Sequence, residues 1–151
     1  MADLGSGPGF YALPIAERVG ESGRVYAVDF DLKAIEALKA KTEKRGLDKR
    51  LEARVSSAAE IGFIPSGSVD FILANGLLCC MVDHAGAVRE MKRVLKPHRR
   101  ARLSIPKILR RKDPRTVTKE EWEKILGEFD VLERGEGLAN RWAYLSLKTR
   151  P

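Results

Sequence analysis

The sequence predicts an α/β protein, a three-layer sandwich in which helices cover both faces of a mostly parallel sheet of seven strands. Short apolar runs alternate with segments of helical periodicity along the whole chain. A glycine-rich turn also joins the first apolar run directly to the first helical segment. The 151 residues suffice for one core, so residues 1–151 are predicted to form a single domain.

The first half of the chain supplies three strands and two helices. Gly46 is placed to stop the second helix, and Pro14 is tolerated in the first turn of the first helix. In chain order the predicted elements are a strand end at Met1–Leu4, a helix at Tyr11–Val19, a buried strand at Arg24–Val28, a helix at Leu32–Arg45 and a strand at Leu51–Val55.

The second half continues the alternation and closes with a hairpin. Pro97 is expected to end the third helix, and Thr118 with Glu121 is a candidate capping box for the fourth. The predicted elements are a strand at Val69–Ala74, a helix at Ala85–Leu95, a strand at Ala101–Ile105, a helix from Thr118 to about Gly127, and strands at Phe129–Leu132 and Trp142–Leu147 that pair across Gly135 and Gly137.

Composition narrows the classes of function. No stretch approaches the roughly 18 to 20 apolar residues of a membrane span, and no signal peptide is visible. The cysteines are the adjacent pair Cys79 and Cys80, which offers neither a disulfide framework nor a structural zinc site. We expect a cytoplasmic protein without a metal centre and without a membrane partner.

Positive charge is concentrated in one segment. The net charge is +7, and residues 96–115 hold nine basic side chains against one acid, Asp113. Such a cluster suits phosphates or an acidic substrate, and it equally suits a solvated loop. The solvated loop is favoured because no aromatic side chains interleave with the charges for base stacking.

The glycine turn carries the clearest chemical signal. Residues 3–9 read Asp-Leu-Gly-Ser-Gly-Pro-Gly and lie between a strand and a helix. Glycines there let the backbone approach a ligand closely, and the following helix presents unpaired N–H groups to the same crevice. The next strand ends in Asp29, and an acid at that place accepts hydrogen bonds from ribose hydroxyls in nucleotide-binding α/β folds. Together these features predict a nucleotide-type cofactor site.

Several segments resemble class I S-adenosylmethionine-dependent methyltransferases. Residues 2–9 (ADLGSGPG) are similar to motif I of that family, and residues 25–31 (VYAVDFD) to its second-strand motif. Residues 66–81 and 87–97 resemble the fourth strand with its loop and the next helix. The resemblance runs from Ala2 to about Ile105 and implies a Rossmann-like fold with strand order 3-2-1-4-5-7-6, the last strand antiparallel.

The resemblance also implies roles for individual residues toward S-adenosylmethionine. Asp3 would orient the loop and the amino group of the methionine moiety, and Asp29 would hold the ribose beside Phe30, which would pack on adenine. The backbone of the loop would lie against the methionine moiety at Gly5, Ser6, Gly7 and Gly9. Asn75 and Gly76 would line the pocket near the sulfonium and the acceptor.

Two features depart from, or compete with, this resemblance. Ser57 and Ala58 stand where many relatives have an acid-alanine pair that reads the adenine amino group, so the contact of Ser57 would be weaker. Binding of a nicotinamide or flavin dinucleotide is disfavoured, because an acid beside the loop repels a pyrophosphate and suits a cationic sulfonium and ammonium.

The sequence does not identify a catalytic residue. Asp83 and His84 are candidate bases, although Asp83 is better explained as a helix cap. Cys79 follows leucine rather than the proline usual in cytosine-C5 enzymes, and the pair is expected to be buried and inert, with binding of a soft metal or metalloid as the alternative. The run Asn75-Gly-Leu-Leu replaces the motif of enzymes that methylate base amino groups.

The predicted function is methyl transfer to a small-molecule acceptor, because the motifs resemble the ubiquinone and menaquinone methyltransferase group. The alternatives are an RNA or other nucleic-acid methyltransferase that uses residues 96–115, and a non-catalytic S-adenosylmethionine-binding module. The chain begins almost inside its first strand, without the N-terminal cap usual in the family. Either the native N-terminus is longer or the protein is minimal, and a second copy or a partner chain could then cover the open pocket.

Overall fold

The computed structural model describes residues 1–107 and 113–148, which form seven strands and four α-helices. The strands are β1 (Ala2–Leu4), β2 (Val25–Asp29), β3 (Leu51–Val55), β4 (Val69–Asn75), β5 (Leu95–Pro106), β6 (Asp130–Glu136) and β7 (Asn140–Ser146). The helices are α1 (Ala12–Arg18), α2 (Leu32–Lys44), α3 (His84–Val94) and α4 (Lys119–Leu126), and a short 3-10 helix, Leu78–Cys80, follows β4.

The strands form one sheet in the order β3-β2-β1-β4-β5-β7-β6. All neighbours up to β5 pair in parallel, whereas β7 lies antiparallel to both β5 and β6. The predicted fold class, strand order and antiparallel last strand are therefore confirmed. Because β1 lies between β2 and β4, the carboxyl ends of these three strands meet at one edge, where the chain order reverses and α/β proteins bind ligands.

Two apolar clusters pack on the two faces of the sheet. Leu13 of α1 and Ile35 and Leu38 of α2 are buried on one face. Met91 of α3 and Trp122 of α4 are buried on the other. Neighbouring strand residues point to opposite faces, so Leu4 joins the second cluster while Asp3 lies on the side of α1. The helices that pack on the sheet through these clusters form the outer layers of the predicted sandwich.

Polar side chains cap the N-termini of three of the helices. Asp31 Oδ1 accepts hydrogen bonds from the backbone N–H groups of Lys33 and Ala34 at the start of α2. Asp83 accepts from Gly86 N–H before α3, and Thr118 accepts from Glu121 N–H before α4. The predicted cap at Thr118 is confirmed, but the Glu121 carboxylate contacts His84 rather than closing a reciprocal box.

Two predicted boundaries are wrong. Helix α3 ends at Val94, and β5 begins at Leu95, so Pro97 lies inside the strand instead of ending the helix. The pairing jumps there from Val69 opposite Leu95 to Phe71 opposite Arg100. The chain thus bulges around Pro97, where a residue without an N–H is tolerated in a sheet.

The closing hairpin turns later than predicted. Gly135 lies within β6 opposite Trp142, and a Cβ atom at residue 135 would stand 2.6 Å from the indole. That glycine therefore admits a cross-strand tryptophan instead of making a turn. The turn itself is closed by a hydrogen bond from Gly137 N–H to the Asn140 carbonyl. Across the described ranges 1–107 and 113–148, we find no helix with the length and apolarity needed to span a membrane.

Candidate functional site

A cavity of about 440 Å³ lies at the carboxyl edge of β1, β2 and β4, and we call it the glycine-loop cavity. Its size is within the range of small-molecule and cofactor sites. Predicted residues that line it are Gly5, Gly7, Asp29, Phe30, Ser57, Ala58 and Gly76. Residues not predicted for the site also line it, namely Pro8, Val28, Asp31, Ala34, Ser56, Leu77, Cys80 and Met81.

The loop after β1 is held by backbone hydrogen bonds and by conformations that glycine allows. The N–H groups of Gly5 and Ser6 both donate to the Val28 carbonyl, at 2.8 and 3.0 Å. Gly7 has φ +51°, and apart from its two chain neighbours no described residue has an atom within 4 Å of the place where its Cβ would be. The space over Gly7 is therefore left open to a ligand that approaches the backbone closely.

Gly9 and Ser6 lie outside the lining of this cavity. A Cβ on Gly9 would stand 2.4 Å from Leu38 Cδ1, so this glycine allows α2 to pack closely against the loop. Ser6 is buried, and its carbonyl accepts a hydrogen bond from Gly9 N–H. Both residues shape the loop, while Gly5 and Gly7 face the cavity.

Asp29 joins the glycine loop to the end of β2. One carboxylate oxygen accepts a hydrogen bond from Gly7 N–H at 2.8 Å, and the other accepts from Asp31 N–H at 2.9 Å. A carboxylate offers about four lone-pair sites, so both oxygens keep capacity to accept from hydroxyl groups in the cavity. Phe30 beside it is 64% exposed, an unusual exposure for a phenylalanine that leaves one ring face available for stacking.

Asp3 is a buried carboxyl group at the base of the glycine loop. Its side chain is 1% exposed, and its Oδ2 atom has no hydrogen-bond partner among residues 1–107 and 113–148. Burial raises the pKa of Asp3 to about 7, against the opposing effect of a hydrogen bond from Ala12 N–H and with a smaller contribution from Asp29. A cationic group brought beside this carboxylate would stabilise its charged form.

Ser57 with Ala58 and Asn75 with Gly76 are two further predicted pairs, and Asn75 is the member of these that does not line the cavity. Ser57 and Ala58 line the cavity, and Ser57 Oγ accepts a hydrogen bond from Ala59 N–H at 3.2 Å. Gly76 also lines it, with φ +70°. Asn75 does not, because its side-chain oxygen accepts hydrogen bonds from the Ser104 hydroxyl and from Arg102 of β5.

Three of the eight lining residues that sequence analysis missed come from the turn after β4. Leu77, Cys80 and Met81 lie in or beside the 3-10 helix, whose direction the sequence pattern does not predict. Their position directly after β4, which ends at the edge where the chain order reverses, was the available signal. The cavity wall is therefore more apolar than the polar motif residues suggested.

The predicted burial of the two cysteines is wrong. Cys79 is half-buried and Cys80 is exposed. Both line a second cavity of about 210 Å³, together with Ile105, Pro106, Asp113, Arg115, Thr116 and Val117. We call this the Arg115 cavity. Because Cys80 also lines the glycine-loop cavity, the 3-10 helix forms a wall shared by the two spaces.

The two candidate bases are engaged elsewhere. Asp83 caps α3 as predicted. His84 is buried, with Nδ1 at 2.6 Å from a Glu121 carboxylate oxygen and Nε2 at 2.7 Å from the Leu78 carbonyl oxygen. It borders a depression of about 400 Å³ between α3 and α4, and neither residue lines the glycine-loop cavity.

Acidic side chains neutralise much of the basic segment. Lys96 and Arg99 both pair with Asp70, Lys107 pairs with Glu136, and Arg115 pairs with Asp113. Arg102 lies over the Tyr144 ring at 5.9 Å. Arg110, Arg111 and Lys112 lie outside the described residues. Most of the described basic side chains of residues 96–115 are thus paired with acids, and they do not form a free basic patch.

Comparison with known proteins identifies relatives of the chain. A family model described as a methyltransferase domain matches residues 2–101. A nocamycin O-methyltransferase of Saccharothrix syringae is 31% identical over 106 residues, which are 70% of this chain and 37% of the relative. A demethylmenaquinone methyltransferase of Geobacillus kaustophilus is 30% identical over 95 residues, 63% of this chain and 40% of the relative.

The fold is also found among solved structures. A SAM-dependent methyltransferase from Aquifex aeolicus superposes with a TM-score of 0.80 at 28% identity, covering 97% of this chain and 81% of that one. The chain therefore spans most of a compact structural relative. It spans about 40% of the length of the curated relatives named above.

Proposed function

The chain belongs to the family of methyltransferase domains, and from this membership we propose that it transfers a methyl group from S-adenosylmethionine to a small-molecule acceptor. The observation that carries the proposal is the glycine-loop cavity, in which Gly7, Asp29 and Phe30 face one space of about 440 Å³. We also propose that residues 1–151 act as one domain, supported by the single sheet that contains β1 through β7.

The residues of the cavity fit the chemical groups of this cofactor. Asp29 keeps lone pairs for ribose hydroxyls, Phe30 offers a ring face for adenine, and Ser57 with Ala58 borders the same space. The open position over Gly7 suits close approach of the methionine moiety. Asp3 supports the assignment independently, because a buried carboxylate with an orphaned oxygen is stabilised by a nearby positive charge such as an ammonium or sulfonium.

Roles are proposed also for the predicted residues outside the cavity lining. Ser6 and Gly9 hold the loop in shape, and Asn75 fixes the end of β4 to β5 so that Gly76 turns into the cavity. When bound, S-adenosylmethionine supplies a methyl group that its sulfonium has already activated. The task left to the protein is then to position the acceptor and to exclude water.

The acceptor is proposed to enter by the Arg115 cavity, which shares a wall with the glycine-loop cavity. Ile105, Pro106 and Val117 give it an apolar side, while Arg115 and Thr116 supply polar groups. This combination suits a small molecule with an apolar body and an oxygen substituent. The relatives named for nocamycin and demethylmenaquinone support a substrate of this kind. No base is assigned, since Asp83 and His84 are engaged in structural hydrogen bonds.

Calorimetric titration with S-adenosylmethionine and S-adenosylhomocysteine tests the cofactor site. We expect micromolar binding by the intact chain and a loss of at least about tenfold in Asp29→Ala, which removes two backbone anchors together with the ribose contact. Asp48→Ala is the matched control, because this exposed acid lies before β3, at the opposite edge of the sheet.

The outcomes separate the proposal from its alternatives. Binding lost in Asp29→Ala and kept in Asp48→Ala supports the site, and turnover of quinone or phenol acceptors then supports the reaction. Cofactor binding without turnover on any acceptor would favour a non-catalytic binding module. Absence of binding by the folded chain would overturn the proposal.

A covering partner and the cellular location stay predictions. A second copy or another chain over the glycine-loop cavity is supported by the exposure of Phe10, Phe30 and Val82, which all follow strands that end at this edge. Light scattering at several protein concentrations, with and without cofactor, measures the oligomeric state. The cytoplasmic location predicted from the sequence is tested by cell fractionation.

A further inference from the structure

Two adjacent thiols stand in the wall between the glycine-loop cavity and the Arg115 cavity. Cys80 is exposed and lines both spaces, and Cys79 is half-buried and lines the second. The 3-10 helix turns both side chains to the same side, so that their sulfur atoms are 3.7 Å apart. Both thiols are thus presented together to one small space.

The two sulfur atoms lie 3.7 Å apart, which is close enough for one ligand atom to bond both of them after a small adjustment of the side chains. Thiolates select soft metals and metalloids over hard cations. In the described ranges, no group of three or more His, Cys, Asp or Glu side chains could complete a metal site. The described residues thus offer two sulfurs here and no third side-chain ligand, which suits an occupant that needs two thiols.

We propose that Cys79 and Cys80 form a two-thiol binding site for a thiophilic ligand of the trivalent organoarsenical class. With an arsenoxide, the two S–H bonds and the arsenic–oxygen double bond break, and two arsenic–sulfur bonds form. Both protons leave with the oxygen as one water molecule. Arsenic stays trivalent, so the reaction needs no oxidant and no reductant.

The surroundings favour such a complex. Cys79 now donates its S–H to the Gly76 carbonyl at 3.0 Å, a weak hydrogen bond that is given up at small cost. Arg115 lines the same cavity, where it forms an ion pair with Asp113. Its pKa is raised chiefly by its hydrogen bond to Asp113, and the electrostatic influence of Cys80 and Cys79 acts in the same direction. Positive charge beside a thiol favours the thiolate, which is the form that attacks arsenic.

Occupancy of the site would alter both cavities. The ligand would sit on Cys80, whose side chain lines the proposed cofactor space as well as the proposed acceptor space. The site therefore provides a way for thiophilic compounds to inhibit the protein. Binding of the arsenical itself does not depend on the proposed methyl transfer.

Titration with phenylarsine oxide, followed by intact-mass measurement without cofactor, tests the site. We expect one arsenical per chain with loss of one water, resistance of the adduct to a monothiol at millimolar concentration, and its removal by a dithiol. Cys79→Ser and Cys80→Ser should each weaken retention at least about 100-fold, because the second bond forms at a high effective concentration.

Asp29→Ala is the matched control, since it removes a proposed cofactor contact and leaves both thiols. It should bind the arsenical like the original chain even if it no longer binds S-adenosylmethionine, which separates this proposal from the proposed function. Circular dichroism checks that the serine variants are folded. An adduct that a monothiol removes, or one that a folded single-serine variant keeps, would overturn the two-thiol site.

Discussion

Asp3 shows how one buried carboxyl group can limit the stability of the folded chain. It lies in the central strand with 1% exposure, and burial raises its pKa to about 7 from an ordinary value near 3.8. A carboxyl whose pKa is higher in the folded state favours folding below its unfolded pKa, and that contribution is lost as the pH rises through the folded value. The folded chain should therefore lose stability from about pH 4 to pH 7 on account of this residue.

Replacement of Asp3 by asparagine should stabilise the chain in alkaline solution and weaken cofactor binding. Asparagine keeps an oxygen for the Ala12 N–H and carries no charge to bury. The gain in unfolding free energy of Asp3→Asn over the original chain should grow by about 3 kcal/mol between pH 5 and pH 8, since each pKa unit is worth about 1.4 kcal/mol. Urea denaturation across this pH range measures the gain. Exposed Asp48→Asn is the control, and parallel pH curves for Asp3→Asn and the original chain would contradict the prediction.

The site could be predicted in part because some residues act through their backbone or their place at a strand end. Asp29 and Gly7 face the cavity as expected, since a strand end and a glycine turn fix their positions locally. Asn75 does not line the cavity, and its side chain is held by Ser104 and Arg102 of β5 and by the Tyr11 hydroxyl, which are contacts between residues far apart in the sequence. Cys80 was assigned to a buried loop, and its exposure depends on the direction of the 3-10 helix.

At the scale of elements, periodicity predicted each strand and α-helix of the described residues but not the 3-10 helix, and the boundary errors lie where pairing overrides a local signal. Pro97 is a strong helix breaker, yet the bulge opposite β4 accommodates it within β5. Gly135 is a strong turn signal, yet it serves the packing of Trp142 from the neighbouring strand. Both errors depend on which residues pair across the sheet. The pattern of residue types along the chain does not contain that information.

Glu121→Ala should lower the free energy of unfolding, because it removes the contact of α4 with His84 at the start of α3. The Glu121 carboxylate contacts Nδ1 of buried His84, whose other nitrogen bonds the Leu78 carbonyl at the start of the 3-10 helix. Loss of this partner leaves a buried imidazole nitrogen without a hydrogen bond, at a cost of about 1–3 kcal/mol. Urea denaturation measures the loss. Glu120→Ala is the matched control, because Glu120 lies in the same first turn of α4 and is exposed. Equal losses in the two variants would contradict the role of His84.

On the scale of the whole molecule, the net charge of +7 is a weaker sign of a nucleic-acid partner than the sequence alone suggests. Net charge counts side chains without their neighbours. The structure pairs Lys96 and Arg99 with Asp70, and Lys107 with Glu136, so that several charges of the basic segment already face acids. Binding to phosphates would have to compete with these pairs.

We therefore expect the chain to bind RNA only weakly and without a steep dependence on salt. Exposed ion pairs contribute little stability each, but a phosphate must displace a carboxylate from every paired cation that it contacts. A protein that makes 6–10 phosphate contacts loses about 10³–10⁵ in affinity between about 50 and 200 mM salt. Fluorescence anisotropy with a labelled RNA duplex, with a lysine-rich peptide as positive control, measures this dependence. A loss of that size for the chain would contradict the expectation, and it would favour a nucleic-acid acceptor at the Arg115 cavity over a small molecule.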